Sequence, residues 1–249
     1  MTASTDARTH PAEPAPETEP APVLEPRQRW RLTFARDRPA PDEIPTGRDY
    51  IGRWETSLLD SGLPILLLAS GRPRVALGAP LPSGCSAEAE LVEFWLTDVR
   101  PVWQVREAVD VVLPAGHRAR GLENVWLGAP ALSGQVAAAD YAVGARVGDV
   151  SLEMIRQAAV DLLARTGIVR ERQKGGETKT YDLRPLLLTL DAAASEDSRV
   201  HLRMRTRIHP ELGTGRPDEV IAALGTALGQ DIAIDEIVRE RLLLADDLD

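Results

Sequence analysis

The sequence predicts an α+β fold: two ferredoxin-like (βαββαβ) units with antiparallel sheets, preceded by a disordered N-terminal tail. Three observations carry this. Stretches with period-two apolar spacing and stretches with helical spacing follow the order strand, helix, strand, strand, helix, strand, and that order occurs twice. Met1 to Pro26 holds six prolines and almost no large apolar side chain, so it cannot offset its ordering entropy by burial. The whole chain has 249 residues, 43% apolar and 27% charged, which is enough to bury a sizeable core. The expected organisation is a tail over 1–26, a first unit over 27–135 and a second over 136–249.

Arg29 to Arg36 alternates strictly: Trp30, Leu32 and Phe34 point one way, and Arg29, Arg31, Thr33 and Ala35 the other, as in a strand. Arg48 to Asp60 places Ile51, Trp54, Leu58 and Leu59 at helical spacing, and Gly62 and Pro64 stop it. Leu63 to Ala69 is an apolar run. Gly71 to Leu96 reads as the organising pair of the first unit. It holds a strand through Val75 and Leu77, a Pro80-Leu81-Pro82-Ser83-Gly84 turn in which Gly84 can take positive φ, and a strand over Leu91 to Leu96. Pro101 opens a helix with Val102, Val105, Val109 and Val112 on one face, and Leu122 to Leu127 is a short strand.

The second unit opens with a strand over Asp140 to Val147. Ser151 caps a helix carrying Leu152, Ile155, Ala159, Leu162 and Leu163. Ile168 to Gln173 and Glu177 to Leu183 are strands around a Lys174-Gly175-Gly176 turn, and Leu186 to Leu190 reads as a continuation of the latter. Ser198 to Ile208 is a long strand. Pro217 opens a helix with Val220, Ile221, Leu224 and Leu228, and Ile237 to Leu244 is the last strand. Helices are expected to cover one face of each sheet and leave the other free.

The charge of −9 excludes a protein whose whole surface attracts nucleic acid. One cysteine, Cys85, permits no intramolecular disulfide, no four-thiolate zinc site and no iron–sulfur cluster, and with no activating neighbour in sequence it reads as buried and inert. His10, His117, His201 and His209 lack metal-ligand spacing, so no metal and no cofactor is expected. The longest apolar run is too short to span a bilayer and no signal peptide is visible, which gives a cytoplasmic address. No GxSxG, P-loop or GxGxxG pattern is present, and the chain reads as a binding protein more than as an enzyme.

Several short motifs resemble those of a bacterial family of unknown function associated with radical SAM proteins. They are Gly62-Leu63-Pro64, Arg72-Pro73-Arg74, Ala79-Pro80-Leu81-Pro82-Ser83-Gly84, Glu88-Ala89-Glu90-Leu91, Tyr181-Asp182-Leu183-Arg184-Pro185 and Arg216-Pro217-Asp218-Glu219. The resemblance runs from about Arg29 to Leu244. Its motif residues here are Arg72, Pro73, Arg74, Pro80, Gly84, Glu88, Glu90, Asp182, Arg184, Pro185, Arg216 and Pro217. It implies a setting beside, or fused to, a B12-binding radical SAM protein. Members commonly carry Ser-His-Leu-Asp before the first helix, where this chain has Ile44 to Asp49. They also carry Gly-Phe-Asn-Pro-His-Pro where it has Ser70-Gly71-Arg72-Pro73. Both departures remove a histidine and favour a binding or scaffold role.

Local charge points to a ligand class. Between Arg165 and Arg216 eleven basic residues face seven acidic ones, a local +4. Arg203, Arg205 and Arg207 alternate and so share one sheet face, which with Arg170, Arg172, Lys174 and Lys179 forms the candidate RNA-phosphate track. The competing reading is that these arginines pair with carboxylates on the next strand. Asp182 and Arg184 are expected on one side of a strand as an ion pair. The leading functional expectation is an accessory module of a radical SAM enzyme in RNA modification, with RNA and that enzyme as partners. One alternative is an enzyme acting on RNA or nucleotides in a cleft between the units through Asp49, Glu88, Glu90, Asp182 and Arg184. Another is a protein–protein interaction module without nucleic acid.

Overall fold

In the computed structural model, residues 25–40, 44–45, 47–174, 177–194 and 199–248 are described, and of 172–174, 177 and 179 only the backbone. The expected tail therefore lies almost entirely outside the described residues, as does the Gly175-Gly176 turn.

The elements run β1 (Gln28–Arg36), α1 (Gly47–Asp60), β2 (Val75–Leu77), β3 (Ser86–Leu96), α2 (Val102–Val112), β4 (His117–Val125), α3 (Leu132–Gln135), β5 (Val136–Val147), α4 (Leu152–Ala164), β6 (Val169–Lys174), β7 (Glu177–Asp182), β8 (Leu187–Ala194), β9 (Arg199–His209), β10 (Gly213–Thr214), α5 (Pro217–Leu228) and β11 (Ile232–Leu244). The fold is mixed α+β with a mostly antiparallel sheet. Among the described residues nine strands form one sheet, ordered β10-β9-β5-β11-β3-β1-β4, with β2 on β3 and β8 on β9. Within it the first half runs β4-β1-β3-β2 and the second β11-β5-β9-β8, every pair antiparallel. The halves join where β11 runs parallel to β3 at Val238–Ser86 and Arg239–Ala87. Because β2 is only three residues long, the start of β3 keeps an edge free for β11.

Two apolar clusters fill the molecule. One gathers Trp30, Leu32, Phe34, Val92, Phe94 and Leu96 of the strands under Trp54 and Leu58 of α1 and Val105 and Val109 of α2. The other packs Tyr141, Val143, Leu202 and Met204 against Ile155, Leu162, Val220 and Leu224, and reaches across to Leu91 of the first half. The caps behave as expected. Ser151 Oγ accepts from the Met154 amide at 3.3 Å, Pro217 opens α5, and Gly84 takes φ +76°.

Three local expectations are corrected. Leu187–Ala194 is a strand of its own: a 3-10 turn over Arg184–Leu186 reverses the chain, and it pairs with β9 while β6 and β7 form a separate hairpin. The apolar run Leu63 to Ala69, for which no element is expected, carries isolated bridges at Ile65–Leu96 and Leu67–Pro73. Strands β4 and β11 begin five residues before the apolar runs that predict them, because their first residues pair through the backbone on partly exposed positions. The face of the first half opposite its helices is not free. Arg29, Arg31 and Glu93 on that face are buried, with the backbone of Ala129 and Pro130 laid over them.

That buried group explains how three charges sit inside the fold. Glu93 accepts from Arg29 Nε at 2.9 Å and from Arg31 Nε at 2.9 Å. Arg29 also donates to the Ala129 carbonyl at 2.6 Å and the Pro130 carbonyl at 2.7 Å. Arg29 and Arg74 both lie over the Trp95 ring, 5.1 and 4.3 Å from its centre. Every charge is thus paired and hydrogen-bonded, the condition for burying it.

Candidate polyanion-binding face

Strand β9 has a pleat that divides its residues cleanly. Val200, Leu202, Met204 and Thr206 are buried toward α4 and α5, so Arg199, His201, Arg203, Arg205 and Arg207 point to the opposite face. Pairing with β5 sets Arg199 beside Arg146, Arg203 beside Ala142 and Arg205 beside Asp140. Pairing of β11 with β5 sets Arg241 beside Asp140 from the other side. One face therefore carries six guanidiniums, of Arg146, Arg199, Arg203, Arg205, Arg207 and Arg241.

Carboxylates answer most of them. Asp140 accepts from Arg205 Nε at 2.7 Å and Arg241 Nε at 2.9 Å. Asp235 lies 2.7 Å from Arg146 and 3.6 Å from Arg199. Among the described residues Arg203 has only Glu240 within ion-pair reach, at 3.9 Å, and its side chain is 76% exposed. Asp191 is opposite Arg203 in the β8 register, and Glu236 reaches over Gly144. Among the described residues Nε of Arg207 is buried without a hydrogen-bond partner. Among the described residues six cations thus meet five carboxylates, and two of those acids are each shared by two arginines. Burial pushes the Asp140 carboxyl up, but the bonds from Arg205 and Arg241 outweigh it and hold it below the usual carboxylate range. The pairs of the exposed Arg146, Arg199 and Arg203 are worth about 0–1 kcal/mol each, so phosphate oxygens can replace their carboxylates at small cost, whereas Asp140 stays bound to Arg205 in a part-buried pair.

The proposed track is divided. Arg203, Arg205 and Arg207 share the face, whereas Arg170 turns to Glu219 of α5 at 2.8 Å. Arg172, Lys174 and Lys179 lie on the β6–β7 hairpin, and their side chains fall outside the described residues. Sequence reasoning did not place Arg146, Arg199 and Arg241 at the site. Their parity in β5, β9 and β11 was available as a signal, but the bulges of β11 at 234–236 and 239–241 hide which residues share a face.

The motif residues are mostly architectural. Asp182 is not paired to the Arg184 guanidinium: its Oδ1 accepts from the amides of Ile168 at 2.7 Å and Arg184 at 2.9 Å. The Arg184 guanidinium instead donates to the Leu163 carbonyl that ends α4, at 2.9 and 2.6 Å, and to that of Leu187 at 2.7 Å. Pro185 sits in the 3-10 turn and Pro217 at the start of α5, where Arg216 donates to Asp218 at 3.0 and 2.6 Å. Glu88 pairs with Arg120 on the surface at 2.6 Å. Glu90 pairs with buried Arg239, which also donates to the carbonyls of Ala79 at 2.9 Å and Pro80 at 3.0 Å. Glu88, Glu90, Asp182 and Arg184 thus each have different partners.

Arg72 donates to Glu55 at 3.0 and 2.8 Å, and Pro73 is buried beside it. The two stretches that depart from the resembled motifs lie side by side: Arg48, Ser70, Arg72 and Pro73 line one groove along α1. Among the described residues no group of three or more His, Cys, Asp or Glu is placed to hold a metal ion, and no helix is long and apolar enough to cross a membrane.

Comparison with known proteins adds a family and distant likenesses of fold. A crystal structure of a Cbf5–Nop10–Gar1 complex aligns at TM-score 0.48 and 15% identity, covering 84% of this chain and 48% of that one. The crystal structure of the archaeal box H/ACA sRNP Nop10–Cbf5 complex aligns at TM-score 0.44 and 16% identity, covering 85% of this chain and 48% of that one. This chain thus spans about half the length of each. No curated protein sequence matches significantly. The family described as an uncharacterized protein conserved in bacteria, DUF2344, matches residues 70–214, more than half of the 249.

Proposed function

We propose that this chain, which belongs to the conserved bacterial family DUF2344, is an accessory module that holds RNA on the uncovered face of its second half. In this reading residues 27–135 and 136–249 are two ferredoxin-like units that share one sheet. The strand orders β4-β1-β3-β2 and β11-β5-β9-β8, with a helix in each crossover, support it. The chain works in the cytoplasm beside a radical SAM enzyme, a setting that the motif resemblance supports. With Cys85 its one cysteine, the present sequence cannot ligate that enzyme's cluster.

The carrying observation is the exposure of Arg203, Arg146 and Arg199, at 76%, 65% and 57%, on one uncovered face with weak or shared partners. No Phe, Tyr or Trp belongs to the outward row of β9, so binding rests on phosphate contacts more than on base stacking. Affinity purification from the native host, with sequencing of bound RNA, tests the proposal. Recovery of RNA that disappears on joint Arg199→Ala and Arg203→Ala substitution supports it. Recovery of neither RNA nor a radical SAM protein refutes it.

A further inference from the structure

We propose that a second groove along α1, on the other side of Arg48 and Arg72 from the one lined by Ser70 and Pro73, binds a small phosphorylated ligand, independently of the arginine face. The groove is an open depression of about 790 Å³ on the surface. Its floor is one stripe of α1, where Arg48, Gly52, Arg53, Thr56 and Ser57 recur at helical spacing, and Arg72 faces them from the loop before β2. Among the described residues Arg48 and Arg53 form no ion pair, while Arg72 is held toward the groove by Glu55. Asp49 also lines the groove.

Gly52 is the second observation. It lies inside a regular helix, its φ is not positive, and an added Cβ would meet nothing within 4 Å. Glycine there costs about 1 kcal/mol relative to alanine. Neither packing nor backbone geometry requires it. A Cβ at this point would project into the groove, so its absence keeps the floor open for close approach of a ligand between Arg48, Arg53 and the hydroxyls of Thr56 and Ser57. The far wall, Pro114 and Ala115, is fixed because His117 Nδ1–H donates to their carbonyls at 3.0 and 2.9 Å while Nε2 accepts from Tyr50 at 3.0 Å. Guanidinium–phosphate bonds across such a groove are charge-assisted and favour phosphate over neutral ligands.

Titration of the full chain with pyrophosphate at constant ionic strength, followed by amide NMR, tests this. The expected result is saturable shifts confined to Gly52, Arg53, Thr56 and Ser57, weakened about tenfold by Arg53→Gln. Gly52→Leu should abolish binding without lowering the unfolding temperature, and joint Arg199→Ala and Arg203→Ala substitution should leave it unchanged. Non-saturating shifts spread over all arginine-bearing surfaces, or unaltered binding by both Gly52→Leu and Arg53→Gln, overturn it.

Discussion

Arg239 on β11 donates from Nε to Glu90 Oε1 on β3 at 2.6 Å, across 149 residues of chain, and both side chains are buried at the joint between the halves. Burial pushes the Arg239 guanidinium down, but the Glu90 carboxylate outweighs it and holds the cation above its ordinary value. Removing one partner leaves an unpaired buried charge. Glu90→Ala should therefore cost about 3–5 kcal/mol in urea unfolding, while joint Glu90→Leu and Arg239→Met substitution should cost much less. Equal losses in the two variants would assign the cost to packing instead.

Glu93 gives a parallel case with two cationic partners. Its carboxylate is fully buried between Arg29 and Arg31. Glu93→Gln keeps the shape and removes the charge, so a loss of about 3 kcal/mol or more is expected. A surface control, Glu88→Gln, should fall below about 1 kcal/mol, since its pair with Arg120 is exposed. Thermal unfolding of the two variants side by side is the measurement.

His117 makes stability depend on pH. Burial pushes its pKa down, the charges of Arg36 and Arg53 act the same way, and the Ala115 and Pro114 carbonyls oppose them. The folded value is thus below the unfolded one of about 6.5. The neutral ring's contribution is complete above that pH and is lost as pH falls from about 6.5 through the folded value. The stability difference between wild type and His117→Gln should shrink from pH 7.5 to pH 5. A constant difference over that range would contradict the assignment.

Cys85 is 1% exposed, and burial pushes its thiol up to about 11, against the opposing charge of Arg239. At pH 8 its labelling by a disulfide reagent should be slow in the folded chain and fast in denaturant. Rapid labelling without denaturant would place it at the surface.

Element order was readable because most elements carry a clear period: Trp30, Leu32 and Phe34 in β1, Val105 and Val109 in α2, Leu202 and Met204 in β9. What stayed hidden is long-range. Arg29 and Arg31 read as a solvent face because Glu93, their partner, lies 64 and 62 residues away. Residues 187–190 read as part of β7 because a 3-10 turn leaves little trace in apolar spacing. The shared face of β9 was legible from its alternation. The carboxylates that form ion pairs with it come from β5 and β11, and no local pattern reports that register.

The arginine face is tested most directly by the salt dependence of RNA binding. Fluorescence anisotropy of a labelled single-stranded RNA, between about 50 and 200 mM KCl, gives the slope of log affinity against log salt. Each arginine–phosphate contact contributes about 0.7 to that slope, so joint Arg146→Ala, Arg199→Ala and Arg203→Ala substitution should reduce it by about 2 and weaken binding throughout. Binding absent in the wild type, or an unchanged slope and affinity in the triple variant, would contradict an RNA-holding role for this face.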